Sequence, residues 1–332
     1  MESRITVLSA LDSLQMHQQF ADDVLKGLLG TPKTISSMYF YDKKGSELFQ
    51  KITQIPAYYL TRAEEEILKR YGKEILEIVN GAPLNLIELG AGCGEKTRRV
   101  LAAWKEKGSR FTYIPIDIDQ NVLVQLGDEI ERWFGVGGIV VEPVAGEYLQ
   151  ALDWVESRKK GVRKVVFFPG SNIGNFDKSE CETFLSSLRS AIRPGDFLLI
   201  GFDQKKDPRM IEPAYDDAQG VTRDFNLNLL TRVNRELGGE FDLGSFIHHA
   251  YYDPAIEAMV SWLLSTKEQT VRVKEIGLNV HFEAGEGIRT EYSRKFSVRD
   301  IEKLARKCHF DVVRNFTDER GFFVNSLWTR KE

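Results

Sequence analysis

Short apolar runs and longer amphipathic stretches alternate through the middle of the chain. The apolar runs, each of strand length, lie at 84–89, 111–118, 138–143, 164–168 and 197–202. Stretches compatible with helices separate them, at 95–107, 121–133 and 177–192. Strands that alternate with helices at this spacing are typical of a parallel sheet covered on both faces. The pattern therefore predicts an α/β fold with a doubly wound, Rossmann-like sheet.

The alternation stops after residue 203, and the residues that follow have a different pattern. Residues 220–237 form one long amphipathic stretch in which Phe225, Leu229 and Val233 recur at helical spacing. This spacing predicts a helix with a buried face. Antiparallel strands are predicted after it, at 258–265, 270–273 and 280–282.

The end of the chain returns to the first pattern. A helix at 297–308 is followed by strands at 310–316 and 321–329, joined by a short polar turn. These strands would complete the sheet that the strand at 197–202 leaves open. We therefore predict a second, α+β lobe inserted into the doubly wound domain, and we assign the first residues of the chain to that lobe. The predicted domains are 62–203 with 295–332, and 1–61 with 204–294.

The sharpest local motif is Glu88-Leu89-Gly90-Ala91-Gly92-Cys93-Gly94, at a predicted turn from strand to helix. Glycine permits a tight turn and a close approach of the backbone to a ligand, and the helix N-terminus behind it adds unpaired N–H groups. A dinucleotide fingerprint needs glycine at its sixth position, where this chain has Glu95. The motif resembles instead the first motif of S-adenosylmethionine methyltransferases, in which an acidic residue precedes glycines at alternate positions.

Acidic residues follow the next two strands. A nucleoside cofactor needs an acidic acceptor for its ribose hydroxyls at the end of the second strand, about 20 residues after the glycines. Asp117 is placed for this contact, and Glu147, after the third strand, is a candidate for the ribose or the adenine. The sequence thus predicts a nucleoside-binding domain.

Composition and charge narrow the class of protein. The chain has 332 residues with a net charge of −4, which does not indicate a nucleic-acid-binding protein. Its three cysteines show no paired spacing, which fits a reducing compartment, and no uncharged apolar run approaches the roughly 20 residues of a membrane span. No metal site is predicted, because His248-His249 and Asp253 have no third ligand at a suitable spacing. We expect a cytoplasmic protein with a small-molecule partner; a monomer is compatible with the sequence, which leaves the oligomeric state open.

Longer motifs extend over nearly the whole chain. They lie at 39–42, 45–49, 55–64, 95–98, 170–175, 214–222, 225–226, 233–237, 284–286 and 290–296. Through these motifs the chain resembles the histidine-specific Nα-methyltransferases of ergothioneine biosynthesis. The resemblance implies a class I methyltransferase domain that uses S-adenosyl-L-methionine, and an acceptor amino acid held between the two lobes.

The resemblance also implies roles for individual residues. The implied cofactor contacts are Tyr58, Gly90, Lys96, Asp117, Glu147 and Tyr148. The carboxylate and amine of the acceptor would be held by Asn175 and Tyr215, with Tyr41 close by and the backbone of Gly170 contributing. The imidazole would be bound by Glu291 and Ser293.

These residue types suit an in-line methyl transfer from a sulfonium to an amine. Positioning alone can supply about 7–11 kcal/mol of such a barrier. Neutral amide and phenol donors bind a carboxylate without placing a cation near the cofactor, and each such bond contributes roughly 1.5–3 kcal/mol. The amine must be neutral when it reacts, so its proton leaves through Tyr41, Tyr215 or water. The implied activity is trimethylation of L-histidine to hercynine without a metal, with Tyr41, Asn175 and Tyr215 as catalytic residues.

One position departs from the family pattern. The family has a methionine of the imidazole pocket directly before a tryptophan, whereas this chain has Ser261 before Trp262. The pocket is therefore expected to be roomier or more polar, and tryptophan or a prenylated tryptophan is an alternative acceptor. A further alternative is a regulatory subunit that binds a nucleoside without catalysis.

Overall fold

The computed structural model describes residues 5–8, 13–79 and 83–331. The helices are α1 (Ser13–Leu29), α2 (Lys43–Gln54), α3 (Leu60–Val79), α4 (Glu95–Glu106), α5 (Gln120–Phe134), α6 (Tyr148–Arg158), α7 (Lys178–Ala191), α8 (Pro208–Ile211), α9 (Val221–Leu237) and α10 (Val298–Lys307). The strands are β1 (Thr6–Val7), β2 (Lys33–Thr34), β3 (Leu84–Leu89), β4 (Phe111–Asp117), β5 (Val140–Val141), β6 (Val144–Ala145), β7 (Arg163–Phe168), β8 (Phe197–Asp203), β9 (Phe246–Asp253), β10 (Ala258–Ser265), β11 (Gln269–Val273), β12 (Leu278–Phe282), β13 (Gly287–Arg294), β14 (Phe310–Thr317) and β15 (Phe323–Arg330).

The chain divides into two compact units. The described residues of the first unit lie within Met1–Ala10, Leu60–Lys205 and Phe296–Glu332, and those of the second within Leu11–Tyr59 and Lys206–Lys295. The predicted boundaries differ by one or two residues at 60–61, 204–205 and 295. The main difference is β1, which was assigned to the second lobe and instead pairs with β6. The amide of Thr6 donates to the carbonyl of Pro143 at 3.0 Å. A strand of two residues has no periodicity from which this pairing could be predicted.

The first unit is built on a mixed sheet with the strand order β1-β6-β4-β3-β7-β8-β15-β14, and β5 pairs with the free part of β4. Neighbours are parallel from β1 to β8, whereas β15 is antiparallel to both β8 and β14. The order reverses between β3 and β7, and in such sheets ligands bind at the carboxyl ends of the strands beside the reversal. This Rossmann-like arrangement, closed by a helix and two strands, confirms the predicted fold.

The central strands form because most of their side chains are apolar on both faces. All six residues of β3 are buried, and Ile87, Ile114, Val166 and Leu198 are completely inaccessible to solvent. Each such side chain contributes about 1.5–3 kcal/mol by burial. The core of the first unit is therefore the sheet itself and the helices packed on it.

The predicted strand at 138–143 is wrong in extent. The structure has β5 at Val140–Val141 and β6 at Val144–Ala145, with Pro143 between them. Proline has no amide hydrogen to donate to a neighbouring strand, so the pairing is interrupted there. Only the second fragment reaches the carboxyl end of β4, where Ala145 pairs with Asp117.

The second unit combines a sheet of order β2-β13-β10-β9, the hairpin β11–β12, and the helix α9. The amphipathic stretch predicted at 220–237 is this helix, and Leu229, Val233 and Leu237 are fully buried. The predicted strands at 258–265, 270–273 and 280–282 are confirmed, whereas β9 and the first three helices were not predicted. Within the described ranges, no helix is both long enough and apolar enough to cross a membrane.

Candidate active site

The glycine motif forms the turn between β3 and α4. Gly90, Gly92 and Gly94 all have positive φ angles, of 74°, 51° and 68°. A side chain at Gly94 would also collide with Leu126, whose Cδ1 atom lies 2.3 Å from the ideal Cβ position. Only glycine fits this backbone, which presents the N-terminus of α4 at the carboxyl end of β3.

Glu88 fixes the turn from inside the protein. Its carboxylate accepts a hydrogen bond from Thr97 Oγ1 at 2.5 Å and another from the Tyr113 hydroxyl. Burial raises the pKa of Glu88 to about 7, although both hydrogen bonds oppose the shift. Glu88, the acidic residue of the motif, thus connects β3, β4 and α4 inside the protein.

Asp117 ends β4 beside the same turn. Its carboxylate accepts hydrogen bonds from the amides of Gly92 at 3.2 Å and Asp119 at 3.1 Å, and burial raises its pKa. The Tyr148 hydroxyl reaches this turn as well, since it lies 2.8 Å from the ideal Cβ position of Gly90. Glu147, the residue before Tyr148, is exposed at the start of α6. The structure therefore brings Gly90, Asp117 and Tyr148, three predicted contacts of the cofactor, close together, with Glu147 next to Tyr148 in the chain.

Lys96 and Gly170 converge on a buried acid that sequence analysis missed. The Glu64 carboxylate is fully buried and lies 2.9 Å from Lys96 Nζ. It also accepts the amide hydrogen of Gly170, with its two oxygens at 2.9 and 3.1 Å. A side chain on Gly201 would lie 2.5 Å from this carboxylate, so the glycine there makes room for Glu64.

The loop after β7 carries the predicted residues Gly170 and Asn175. Gly170 and Ser171 both have left-handed backbones, with φ angles of 79° and 60°, a conformation that costs a serine free energy. The Ser171 hydroxyl compensates by accepting the amide hydrogen of Asp203 at 2.9 Å. Asn175, half-buried, ends a short 3-10 turn, and within the described residues its amide group makes no hydrogen bond.

In the second unit, Tyr41 and Tyr58 belong to one aromatic cluster. Both pack edge-on against Phe49, with ring centroids 5.5 and 6.1 Å away, and Tyr41 also packs against Phe225 at 5.7 Å. The next residue, Asn226, accepts a hydrogen bond from Thr290 Oγ1 at 2.6 Å. Helix α9 thus connects the aromatic cluster to β13.

Tyr215 and Ser293 form a buried cluster with Lys295, a residue that sequence analysis did not single out. The Tyr215 hydroxyl lies 2.7 Å from Ser293 Oγ. Lys295 Nζ donates to the Tyr215 hydroxyl at 2.7 Å and to Ser293 Oγ at 2.9 Å. A buried lysine therefore supports the hydroxyl groups of Tyr215 and Ser293.

Glu291 lies in the same strand as Ser293, two residues earlier and on the same face. Burial raises its pKa to about 7, and the positive charge of Lys295 acts in the opposite direction. In the antiparallel ladder Glu291 pairs with Ser261, whose buried hydroxyl has no hydrogen-bond partner. Within the described residues, the Glu291 carboxylate likewise has none. The position that departs from the family pattern is thus the cross-strand neighbour of Glu291.

The two histidines considered for a metal point in different directions. The His248 side chain is buried, with Nδ1 3.7 Å from Asp216 Oδ1, whereas His249 is exposed. Burial lowers the pKa of His248. Adjacent residues of β9 face opposite sides of the sheet, so this pair is not arranged to bind one ion.

The predicted residues are distributed over both units. Five of the six predicted cofactor residues lie in the first unit, whereas Tyr58 lies in the second. Gly170 and Asn175 lie in the first, and Tyr41, Tyr215, Glu291 and Ser293 in the second. Glu64 could have been found from the sequence, because it is an acid on the apolar stripe of α3. The sequence around Lys295 has no comparable pattern from which its position could have been predicted.

Known proteins resemble the chain over almost its whole length. Residues 20–330 match the family described as histidine-specific methyltransferase, SAM-dependent. The histidine N-alpha-methyltransferase of Mycobacterium tuberculosis is 38% identical over 98% of this chain and 99% of its own length. The protein of the same name from Mycolicibacterium smegmatis is 39% identical, over 93% and 94%. The ergothioneine biosynthesis protein 1 of Schizosaccharomyces pombe is 30% identical, over 85% of this chain and 37% of its own length.

Proposed function

The chain belongs to the histidine-specific methyltransferases that depend on S-adenosylmethionine, and we propose that it trimethylates the α-amino nitrogen of L-histidine to give hercynine. One observation carries the choice of acceptor. Glu291 is a carboxylate with a pKa raised by burial to about 7, on the same strand face as the Ser293 hydroxyl. An imidazole N–H would satisfy this carboxylate, and a side chain without such a donor would leave it unpaired.

The first unit has the residues that fit the cofactor. S-Adenosylmethionine supplies a methyl group on a positively charged sulfonium, so no strong acid is needed to activate it. The glycine turn leaves the backbone open, and the half-buried Asp117 carboxylate at its edge would accept from ribose hydroxyls. Lys96, Glu147 and Tyr148 are the other proposed contacts in this unit.

The second unit supplies most of the proposed acceptor contacts. Tyr215 would donate to the carboxylate, while Glu291 and Ser293 bind the imidazole. Ser293 Oγ accepts from Lys295, and its own hydroxyl hydrogen would be donated to the imidazole nitrogen that carries no hydrogen. Asn175, whose amide makes no hydrogen bond to the described residues, and the backbone of Gly170 are the proposed contacts from the first unit.

The proposed chemistry requires an uncharged amine held in one orientation. Tyr41, Tyr215 and Asn175 are the catalytic residues in this proposal, since their polar groups would hold the amine and the carboxylate. The proton that the amine loses would leave through Tyr41, Tyr215 or a water molecule. Tyr58, a member of the aromatic cluster of the second unit, stays a predicted contact of the cofactor.

The acceptor can be identified directly. We would incubate the protein with S-adenosylmethionine and each proteinogenic amino acid separately, and measure by mass spectrometry which products gain one, two or three methyl groups. Trimethylation of histidine alone is the expected result. Methylation of tryptophan instead would contradict the proposed acceptor and would make Ser261 the first position to examine.

A catalytic-site variant provides the control. Asn175→Ala removes the amide and is expected to reduce turnover at least tenfold, because one charge-assisted hydrogen bond is worth about 1.5–3 kcal/mol. If the protein binds S-adenosylmethionine but methylates nothing, and Asn175→Ala changes no property, the non-catalytic alternative would replace the proposal.

A further inference from the structure

The sheet of the first unit has an edge strand that comes from the beginning of the chain. β1 lies parallel to β6, and the amide of Leu8 donates to the carbonyl of Ala145 at 3.0 Å. Because β1, β6, β4 and β3 are parallel neighbours, their carboxyl ends lie at the same edge of the sheet. β1 therefore ends at the edge that carries the glycine turn and Asp117, where the proposed contacts of the cofactor lie.

Leu8 is the residue that follows β1 at this edge. Its Cβ atom lies 3.4 Å from the ideal Cβ position of Gly146, the residue before Glu147 and Tyr148. The Leu8 side chain is half-buried and packs against the same hydrophobic core as Tyr148. The amide of Gly146 donates to the carbonyl of Asp117 at 3.0 Å. An apolar side chain from the beginning of the chain thus adjoins three proposed contacts of the cofactor.

The order of the strands indicates how the cofactor would be oriented. S-Adenosylmethionine has the adenine at one end, the ribose next to it, and the sulfonium with its methyl group beyond the ribose. The ribose is assigned to Asp117 at the end of β4, and the methyl group has to reach the acceptor, whose proposed contacts Gly170 and Asn175 follow β7. The sheet order is β1-β6-β4-β3-β7. With the sulfonium on the β7 side of β4, the adenine would lie on the opposite side, toward β6 and β1.

We propose that Leu8 is a further binding residue for the cofactor and packs against its adenine base. This inference rests on the proposed function, because it uses the acceptor contacts after β7 to orient the cofactor. Only β6 separates β1 from β4, so β1 lies two strand spacings, roughly 10 Å in all, from Asp117. A base that extends from this carboxylate past Gly146 meets the Leu8 side chain, and removing their apolar surfaces from water stabilises the contact.

Ligands that contain or lack the base test this contact. Adenosine has the base without the homocysteine, whereas S-ribosylhomocysteine has the homocysteine and the ribose without the base. We would measure the affinities of S-adenosylhomocysteine, adenosine and S-ribosylhomocysteine by calorimetry for the wild type and for Leu8→Ala. The affinities of the first two are expected to fall about 3- to 10-fold, because the carbon atoms beyond Cβ no longer cover the base. The affinity of S-ribosylhomocysteine should not change.

Two variants control for indirect effects on the strand. Val7→Ala truncates the preceding side chain, which is 44% exposed. It should leave all three affinities unchanged, because adjacent residues of a strand face opposite sides of the sheet. Leu8→Met keeps a similar apolar volume and should retain most of the adenosine affinity that Leu8→Ala loses.

The contact can also be observed in the wild type, so the test does not depend on the folding of Leu8→Ala. The ring current of an adenine base shifts the nuclear magnetic resonances of methyl groups that pack on its face. We would label the leucine methyl groups with carbon-13 and assign the Leu8 resonances by their loss in Leu8→Met. These resonances are expected to shift when adenosine binds and to stay in place when S-ribosylhomocysteine binds.

The outcomes are distinct. If Leu8→Ala leaves the adenosine affinity unchanged, or weakens adenosine and S-ribosylhomocysteine equally, the inference is overturned and the proposed function stands. Leu8 methyl resonances that do not respond to adenosine would overturn it in the same way. A wild type that shows the Leu8 contact with adenosine but methylates no histidine would overturn the proposed function and leave the adenine contact established.

Discussion

At the scale of single residues, Glu88 and Glu291 show how two carboxyl groups with similarly raised pKa values serve different purposes. Burial raises the pKa of both Glu88 and Glu291 to about 7. Glu88 receives hydrogen bonds from Thr97 and Tyr113, so its cost of burial is offset within the fold. Among the described residues Glu291 receives none. Glu291 is half-buried and shares a strand face with Ser293, so the partner of its carboxylate is expected to be a ligand.

Replacing Glu291 by glutamine tests this assignment. Glu291→Gln keeps the shape of the side chain but removes its charge, and we expect histidine affinity to fall about 10- to 100-fold, because hydrogen bonds to charged groups contribute roughly 1.5–3 kcal/mol. The affinity for S-adenosylhomocysteine should not change. Both affinities can be measured by calorimetry.

The matched control is Glu283→Gln, at an exposed carboxylate of the same unit. It should leave both affinities unchanged. If Glu291→Gln still selects histidine over other amino acids with wild-type affinity, Glu291 does not bind the imidazole, and the choice of acceptor loses its main support.

At the scale of elements, helix α3 carries an acid into the carboxyl end of the sheet. Leu60, Ile67 and Ile75 form an apolar stripe along this helix, and Glu64 lies on the same stripe. Its carboxylate joins Lys96 at the start of α4 to the amide of Gly170 in the loop after β7. The Glu64 side chain therefore links Lys96, a predicted contact of the cofactor, to Gly170, a predicted contact of the acceptor amino acid.

We expect Glu64→Gln to weaken cofactor binding. The amide can still accept from Gly170, but it cannot balance the charge of Lys96, so the lysine is released from its position. A loss of about tenfold in affinity for S-adenosylhomocysteine corresponds to about 1.4 kcal/mol, within the range for a charge-assisted bond. Titration calorimetry measures it.

Glu77→Gln is the control on the same helix. Glu77 pairs with Lys107 at 2.8 Å, and its side chain is 62% exposed, so its removal should change stability and affinity very little. Unchanged cofactor affinity in Glu64→Gln would show that the Glu64–Lys96 pair serves the fold alone.

At the scale of the whole molecule, what could be predicted depends on how far apart in sequence the partners lie. The alternation of strands and helices predicted the sheet of the first unit, because buried parallel strands are apolar throughout. The positions of Gly90 and Asp117 followed from that topology. The Lys295–Tyr215 and Glu64–Gly170 contacts could not be predicted, because they join residues 80 and 106 positions apart without a shared pattern. The residues of the second unit that are proposed to bind the acceptor were predicted from family resemblance and not from periodicity.

At the scale of the whole molecule, Glu88 and Glu291 each make a contribution to stability that falls as the pH rises from 5 to 8, opposite in sign to the contribution of His248, whose pKa burial lowers. The pKa values of Glu88 and Glu291 are raised by burial from 4.5 to about 7 in the folded state. The folded state therefore holds protons that the unfolded state has released. The resulting stability is complete below pH 4.5 and is lost as the pH passes 7. Each group contributes at most about 3 kcal/mol, at about 1.4 kcal/mol per pKa unit.

Urea unfolding at pH 5 and pH 8 measures this loss of stability, and two variants show how much of it is due to each glutamate. Glu88→Gln and Glu291→Gln should each reduce the difference between the two pH values. In the wild type and in Glu88→Gln, saturating histidine should make the difference in stability between pH 5 and pH 8 smaller than it is without histidine, because a bound imidazole stabilises the charged form of Glu291. It should have no such effect in Glu291→Gln. If histidine flattens the pH dependence equally in all three proteins, then the ligand does not act on the ionisation of Glu291, and its carboxylate is not the group that binds the imidazole.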